Sequence, residues 1–231
     1  MDTFLIAMTT APRSAPTIHR SIESLRSVGV HEELHLFAEP GSEIPANAIV
    51  HWNDHKLGSF MNHYNALKWA QENLNSEQRL LLLEDDVIFR PRFYPIVQEL
   101  MEHTSGLIVG LTHEWTVKEH HPYLKDQRGW CQLDIRNGLN NVHGGQCYII
   151  HQRMLERILH SSYMNECLVR AGAGENMYYT DNILVACAFP GPVLVHIPSL
   201  CQHIGDDSYF FKPDDPDDPL KDRRGYLFNE T

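Results

Sequence analysis

The segment Leu80–Phe89, with the sequence LLLLEDDVIF, gives the clearest indication of the fold of this chain. Four leucines predict a buried β-strand, and the strand ends in three consecutive acids, Glu84, Asp85 and Asp86. Adjacent carboxylates repel one another, so three at a strand end call for a nearby cation. Hard divalent ions take oxygen ligands, often one or two carboxylates together with substrate phosphates. The segment favours a metal–diphosphate site at a sheet edge, with a solvated strand-to-loop corner as the alternative.

Size, charge and cysteine content narrow the classes of protein to consider. The 231 residues, 42% hydrophobic and 21% charged, suffice for one α/β domain with a sizeable core. The net charge of −11 argues against a protein that coats nucleic acid, although a local basic groove stays possible. Five cysteines without a C-x-x-C pair argue against zinc and against a disulfide framework. Without a signal peptide or a long apolar segment, we expect a cytoplasmic protein with no membrane segment; its oligomeric state is left open.

Strands and helices alternate over the first ninety residues, which predicts a mostly parallel sheet covered by helices on both faces. Predicted strands cover residues 4–8, 33–38, 48–52, 80–83, 107–111, 146–151 and 193–197, and predicted helices cover 18–28, 58–74, 93–102, 153–160 and 181–188. Residues 113–143 are polar, and we predict an irregular loop there that is functional or mobile. The chain is interpreted as one domain over residues 1–211, followed by an acidic, Pro-rich tail over 212–231 that is extended and partly disordered.

Four local patterns follow one another along the chain. The turn at residues 9–13 (TTAPR) follows the first strand, and the acidic triplet follows the fourth. Gly144 and Gly145 lead into the strand at 146–151, and residues 198–208 (PSLCQHIGDDS) follow the last strand. In open α/β sheets, ligands bind beyond the carboxyl ends of the strands. We therefore expect the TTAPR turn and the acidic triplet to lie in the same crevice.

In this order the four patterns resemble the GT-A class of nucleotide-sugar glycosyltransferases. Residues 198–208 and the LEDDV segment are most similar to the N-acetylglucosaminyltransferase IV family. The resemblance is local, and the chain is shorter than that family and lacks its membrane anchor, so fold and reaction class carry over better than substrate. It implies a single-domain, GT-A-like, Rossmann-type α/β fold with a mixed, mostly parallel sheet flanked by helices. It also implies a metal-dependent, inverting transfer of sugar from a nucleotide diphosphate donor, with UDP-sugar leading, to an acceptor hydroxyl.

The resemblance implies a role for each member of the acidic triplet. Asp86 would be the metal ligand, and Asp85 would contact the donor with support from Glu84. His203, in the Gln-His-x-Gly pattern, would complete the coordination of Mn²⁺ or Mg²⁺; the alternative is a structural histidine. A neutral imidazole suits Mn²⁺ better than Mg²⁺.

Further residues are implied to bind the nucleotide sugar. Thr10 and Arg13 fall where this class holds the nucleotide, and an arginine fork suits a diphosphate, although an exposed loop arginine is the alternative. Lys56 lies in a polar loop at another strand end and is a weaker candidate. Gly144 and Gly145 would let the backbone approach a sugar closely, unless they form a plain tight turn.

An inverting transferase also needs a general base for the acceptor hydroxyl. Asp181, at the start of the predicted helix 181–188, is the first choice, and a helix N-cap is its alternative role. Glu175, in the preceding Gly-rich segment, is the second choice. The acceptor is left open between a glycan, a small molecule and a modified nucleic acid, as in phage-type enzymes that glycosylate DNA bases. A metal-dependent phosphohydrolase and a non-catalytic sugar-binding module are the rival functions.

Overall fold

The computed structural model describes residues 3–110, 117, 120–135, 146–175, 177 and 180–204. The glycine pair Gly144 and Gly145 and the tail at 212–231 lie outside the described residues. Within these ranges the strands are β1 (Thr3–Thr10), β2 (Leu34–Ala38), β3 (Ile49–Trp52), β4 (Gln78–Glu84), β5 (Val87–Phe89), β6 (Leu107–Val109), β7 (Gly129–Gln132), β8 (Cys147–Ile150), β9 (Val193–Ile197) and β10 (Cys201–His203). The α-helices are α1 (Ile18–Ser27), α2 (Ser59–Asn73), α3 (Phe93–Met101), α4 (Gln152–Leu159), α5 (Ser162–Gly172) and α6 (Thr180–Ala188).

The described strands form one eight-stranded sheet and one two-stranded sheet. The large sheet has the order β3-β2-β1-β4-β8-β6-β9-β7. Its pairings make β7 and β8 antiparallel to their neighbours, while the other strands all run in one direction. The mixed, mostly parallel α/β sheet expected from the sequence is therefore confirmed. The small sheet pairs β5 with β10 in antiparallel register.

Strand β4 divides the hydrophobic core into two clusters. Because successive side chains of a strand point to opposite faces, Leu80 and Leu82 lie in one cluster and Leu81 and Leu83 in the other. The first cluster includes buried residues of α2, α4 and α6, and the second includes those of α1 and α3. Helices thus cover both faces, as the strand–helix alternation predicts.

Elements predicted from hydrophobic periodicity begin and end within two residues of the observed ones. Four of the strands and α-helices were not predicted, namely β5, β7, β10 and α5. Strand β7 lies inside the segment that was expected to be irregular, so that expectation was wrong for Gly129–Gln132. Strands β7 (GWCQ) and β10 (CQH) lack an apolar run, and β5 (VIF) follows β4 after only two residues, so none of the three stands out as a separate strand in the sequence. Helix α5 did carry a local signal, because the side chain of its N-cap, Ser161, accepts a hydrogen bond from the amide of Met164 at 3.0 Å.

The five cysteines are free thiols, and four of them are buried. Among the described helices, none combines the length and the apolar character that crossing a bilayer requires.

Candidate functional site

The acidic triplet lies at the carboxyl edge of the large sheet. Glu84 is the last residue of β4, and Val87 begins β5, so Asp85 and Asp86 form the turn between the two strands. Strand β1 runs parallel to β4, with Thr9 opposite Glu84. The turn that follows β1 therefore reaches the same edge as the triplet, as the sequence predicts.

Asp85 is buried, and polar side chains donate hydrogen bonds to its carboxylate and to its backbone carbonyl. Thr10 donates through its hydroxyl to one carboxylate oxygen of Asp85. Arg13 donates to the other oxygen through Nε at 3.0 Å and Nη2 at 2.7 Å. The backbone carbonyl of Asp85 accepts hydrogen bonds from the hydroxyls of Thr17 at 2.8 Å and Ser21 at 2.9 Å. These contacts hold the segment between β1 and α1, and the first turn of α1, against the triplet.

Asp86 is buried beside His203, which lies 117 residues further along the chain. His203 Nε2 donates to Asp86 Oδ2 at 2.9 Å, and Arg13 Nη2 lies 2.8 Å from the same oxygen. The β5–β10 ladder sets this geometry, because it pairs His203 with Val87 and brings the amide of Ile204 to the Asp86 carbonyl at 2.8 Å. Asp86 Oδ1 is buried and has no hydrogen-bond partner among the described residues.

Each charged group of this cluster changes the pKa of its neighbours. Burial disfavours the ionised carboxylate of Asp86, but His203 and Arg13 outweigh burial and lower its pKa to about 2. Burial raises the pKa of Asp85, against the opposing effect of Arg13. Burial, and next the charge of Asp86, raise the pKa of Glu84 well above its usual value. Burial opposes the charge of Arg13, but Asp86 and Asp85 outweigh it and raise its pKa.

The described residues include side chains of the kind that bind a divalent ion. They contain no group of three His, Cys, Asp or Glu side chains placed to hold an ion. Asp86 and His203 are nevertheless adjacent, and the buried, unpartnered Asp86 Oδ1 is an oxygen ligand of the kind that Mg²⁺ and Mn²⁺ bind. Such ions commonly take one or two carboxylates and complete their shell with water and substrate phosphates. The residues therefore fit an ion that a bound diphosphate helps to coordinate.

The two candidate bases differ in their surroundings. Asp181 lies in the first turn of α6, where its Oδ1 accepts a hydrogen bond from the Asn182 amide at 2.9 Å. Helix α6 packs on the face of the sheet that holds Leu80 and Leu82, which is also the face to which the Glu84 side chain points. Glu175 is exposed and pairs with Arg170 Nε at 2.8 Å. The structure thus brings Asp181 towards the triplet, whereas the described contacts of Glu175 are with Arg170.

Lys56 is exposed in the loop between β3 and α2. That loop is held by Glu39, a buried residue directly after β2 that sequence reasoning missed. Glu39 Oε1 accepts hydrogen bonds from the amides of Leu57 at 3.0 Å and Gly58 at 2.5 Å. Gly58 has a φ of 81°, a conformation that favours glycine. An acid immediately after a predicted strand was the available signal.

His63 and Tyr148 are two further residues of the site that sequence reasoning missed. His63, in the second turn of α2, is 1% exposed, and its Nε2 lies 3.6 Å from Glu84 Oε1. Tyr148, on β8, is fully buried, and its hydroxyl has no hydrogen-bond partner among the described residues. From sequence alone, a histidine on an apolar helix face and a tyrosine in an apolar strand are interpreted as packing residues.

No family model matches the chain, and no curated protein matches it. Among solved structures, the chain is similar to a Bacillus anthracis protein named as a glucose-1-phosphate thymidylyltransferase, in complex with sucrose. The TM-score is 0.52 at 10% identity, over 87% of this chain and 89% of that one. It is also similar to the galactosyltransferase LgtC in complex with donor and acceptor sugar analogues. That TM-score is 0.50 at 14% identity, over 99% of this chain and 84% of that one.

At these identities the likeness establishes the fold. The chain has the GT-A-like α/β fold that these transferases share, as the sequence resemblance implies.

Proposed function

We propose that the protein is a glycosyltransferase that moves a sugar from a nucleotide diphosphate donor to an acceptor hydroxyl with the help of a divalent metal ion. The observation that carries the proposal is the convergence of Arg13, Asp85, Asp86 and His203 at the carboxyl edge of the sheet. In open α/β sheets this edge is where ligands bind. The similarity of the fold to two transferases agrees with this function.

In this proposal Thr10, Arg13 and Asp85 bind the nucleotide diphosphate. Arg13 presents a planar guanidinium that matches the geometry of a phosphate, and it already lies between two carboxylates. Asp86 and His203 would hold Mn²⁺ or Mg²⁺. When bound, such an ion stabilises the negative charge on the departing nucleoside diphosphate.

Asp181 is the proposed general base, with Glu175 as the second candidate. Asp181 is half-buried at the start of α6, and its charge acts on Glu84. A carboxylate there can accept the proton of an acceptor hydroxyl that attacks the anomeric carbon from the side opposite the diphosphate. Such a displacement inverts the anomeric configuration. Partial burial makes a carboxylate a stronger base, and Asp181 is partly buried. Glu175 is instead exposed and pairs with Arg170.

The proposal takes UDP-sugar as the leading donor from the resemblance to the GT-A class. The resemblance to the N-acetylglucosaminyltransferase IV family supplies the reaction class, which is the transfer of a sugar to a hydroxyl. It does not identify the acceptor. Lys56, Gly144 and Gly145 remain proposed contacts of the donor.

The test is a screen for nucleotide release from a panel of UDP-, GDP- and dTDP-sugars, with Mn²⁺ or with a chelator. We expect release of a nucleoside diphosphate that requires the ion and is lost in Asp86→Asn. Glu72→Gln, which removes an exposed acid of α2, is the matched control and should keep the activity. Activity that is equal with chelator, or intact in Asp86→Asn, would contradict the metal assignment. Pyrophosphate as the product, from a sugar phosphate and a nucleoside triphosphate, would instead identify a nucleotidyltransferase.

A further inference from the structure

A second polar cluster, formed by His63, Glu84 and Tyr148, lies next to the triplet on the α2 and α6 side of the sheet. Glu84 follows Leu80 and Leu82 on the same face of β4, so its side chain points towards these helices. The side chain of Glu84 is 23% exposed, whereas His63 and Tyr148 are fully buried. The cluster is therefore reached from solvent at Glu84.

The hydrogen bonds of His63 determine which of its ring nitrogens carries a proton. His63 Nδ1 lies 2.9 Å from the backbone carbonyl of Ser59, which can only accept, so Nδ1 bears the hydrogen. Burial lowers the pKa of His63 to about 4, so the ring is neutral near pH 7. Nε2 is consequently an acceptor, and it faces a carboxylate oxygen of Glu84 at 3.6 Å. The described residues give Nε2 no hydrogen-bond partner, so this buried acceptor lacks a donor.

Tyr148 supplies a hydrogen-bond donor to the cluster. Its phenolic O–H is buried and has no hydrogen-bond partner among the described residues. A buried tyrosine hydroxyl normally finds a partner, and a buried unsatisfied polar group in a native structure calls for an explanation. Tyr148 pairs with Leu82 of β4, so its side chain lies on the same face of the sheet as that of Glu84, two residues further along β4. A ligand that both donates and accepts hydrogen bonds would satisfy the whole cluster.

We propose that His63, Glu84 and Tyr148 form a subsite that binds hydroxyl groups of the sugar carried by the nucleotide donor. A hydroxyl is at once a donor and an acceptor, and a sugar ring carries hydroxyls on neighbouring carbons. Glu84 lies two residues before Asp86, next to the proposed diphosphate site, and its side chain points to the face of the sheet that α6, with the proposed base Asp181 in its first turn, covers. The transferred sugar must lie between these two groups. This inference rests on the proposed function and names the residues that would select the sugar.

The two helices that carry the surrounding residues are joined at this point. Ser59 Oγ lies 3.2 Å from Thr180 Oγ1, which links the first turn of α2 to the first turn of α6. The carbonyl that orients His63 belongs to this same Ser59. The position of His63 relative to Asp181 is therefore set by a direct contact between the helices.

The test compares binding of two ligands, UDP and the UDP-sugar that binds most tightly among UDP-glucose, UDP-galactose and UDP-N-acetylglucosamine, by calorimetry with Mn²⁺ present. His63→Leu removes the acceptor, His63→Gln keeps one at similar reach, and Tyr148→Phe removes only the hydroxyl. We expect His63→Leu and Tyr148→Phe each to weaken binding of the UDP-sugar about 5- to 100-fold, the size of one lost buried hydrogen bond. Binding of UDP should change less than about twofold, and His63→Gln should retain part of the sugar contribution.

The binding results distinguish a failure of the proposed subsite from a failure of the proposed function. Parallel loss of UDP and UDP-sugar binding would overturn the subsite and make His63 a structural or nucleotide-binding residue. Unchanged binding of the UDP-sugar in both Tyr148→Phe and His63→Leu would also overturn it, since a bridging water then satisfies the cluster. Tyr148→Phe keeps the test decisive if His63→Leu does not fold, because it removes a hydroxyl without a described partner. Absence of binding of every nucleotide by the wild-type protein would instead overturn the proposed function.

Discussion

Arg13 is the cation that compensates the two buried carboxylates of the triplet. Its guanidinium lies 2.7 Å from Asp85 and 2.8 Å from Asp86, and both carboxylates are buried. At the same time His203 Nε2 donates to the oxygen of Asp86 that Arg13 contacts. A metal ion that binds Asp86 and His203 must compete with these interactions. A diphosphate would favour the ion, because it offers Arg13 another anion to pair with.

We expect the free wild-type protein to bind Mn²⁺ weakly, and a nucleoside diphosphate to strengthen that binding. Arg13→Gln should bind Mn²⁺ without nucleotide about tenfold more tightly or better, because a positive charge beside Asp86 is removed. The same variant should bind the nucleoside diphosphate more weakly. Free Mn²⁺ measured by electron paramagnetic resonance checks both effects, and Arg20→Gln, an exposed arginine of α1, is the control. Weaker Mn²⁺ binding by Arg13→Gln would contradict this account.

The role of Asp181 can be tested against that of Glu175 by removing one charge at a time. If Asp181 is the base, Asp181→Asn should lower turnover about 10²- to 10⁴-fold and leave donor binding nearly intact. Its effect on unfolding should be small, about 0.3–1 kcal/mol, because an acid in the first turn of a helix interacts with the helix dipole. Glu175→Gln should keep full turnover. Turnover and melting temperature of the two variants check this, and the reverse pattern would assign the base to Glu175.

At the scale of secondary structure, the short β5–β10 ladder has a larger effect on the site than its length suggests. Each strand has three residues, yet their pairing places His203 beside the turn that holds Asp86. Strand β5 starts immediately after the triplet, so the ladder joins the end of the described chain to the sheet edge. The metal candidate His203 is thus positioned by backbone hydrogen bonds of a separate small sheet.

The start of α2 depends on one glycine and one buried acid. Gly58 has φ 81° and ψ 164°, a combination that residues with a Cβ rarely adopt, and a Cβ there would meet nothing within 4 Å. Gly58→Ala should therefore lower the free energy of unfolding by about 1–3 kcal/mol through backbone strain alone. Gly172→Ala, in α5 and equally open, should be neutral or stabilising. Chemical denaturation of both variants measures the difference, and equal stabilities would refute the strain at Gly58.

For the molecule as a whole, the sheet separates two hydrophobic clusters that lie on its opposite faces. Ile6 on β1 lies in one cluster and Ile150 on β8 in the other, and both are fully buried. We expect Ile6→Val and Ile150→Val each to cost about 0.5–1.5 kcal/mol, because each removes one buried methylene. The double variant should cost the sum within about 0.5 kcal/mol, since the side chains share no cluster. Denaturation curves test this, and a large deviation would mean that the clusters are coupled through the sheet.

Much of the fold was predictable because its signals are local. The apolar run before Glu84 and the strand–helix alternation of the first ninety residues predict a parallel sheet, and parallel strands bring their carboxyl ends together. The position of the TTAPR turn beside the triplet follows from that rule alone. Strand β10 contains two polar residues in three, and β5 follows β4 after only two residues, so neither was predictable as a separate strand.

The amino-acid pattern specifies the class of fold, the edge of the sheet where the acids lie, and the residue types available there. The partner of each acid is set by tertiary packing. Arg13 reaches Asp85 across 72 residues and His203 reaches Asp86 across 117, while His63 on α2 faces Glu84. The physical reason is that periodicity reports which face of an element is buried. The pairing of charged side chains depends instead on how distant elements pack, and on which opposite charge or hydrogen-bond partner that packing brings within reach.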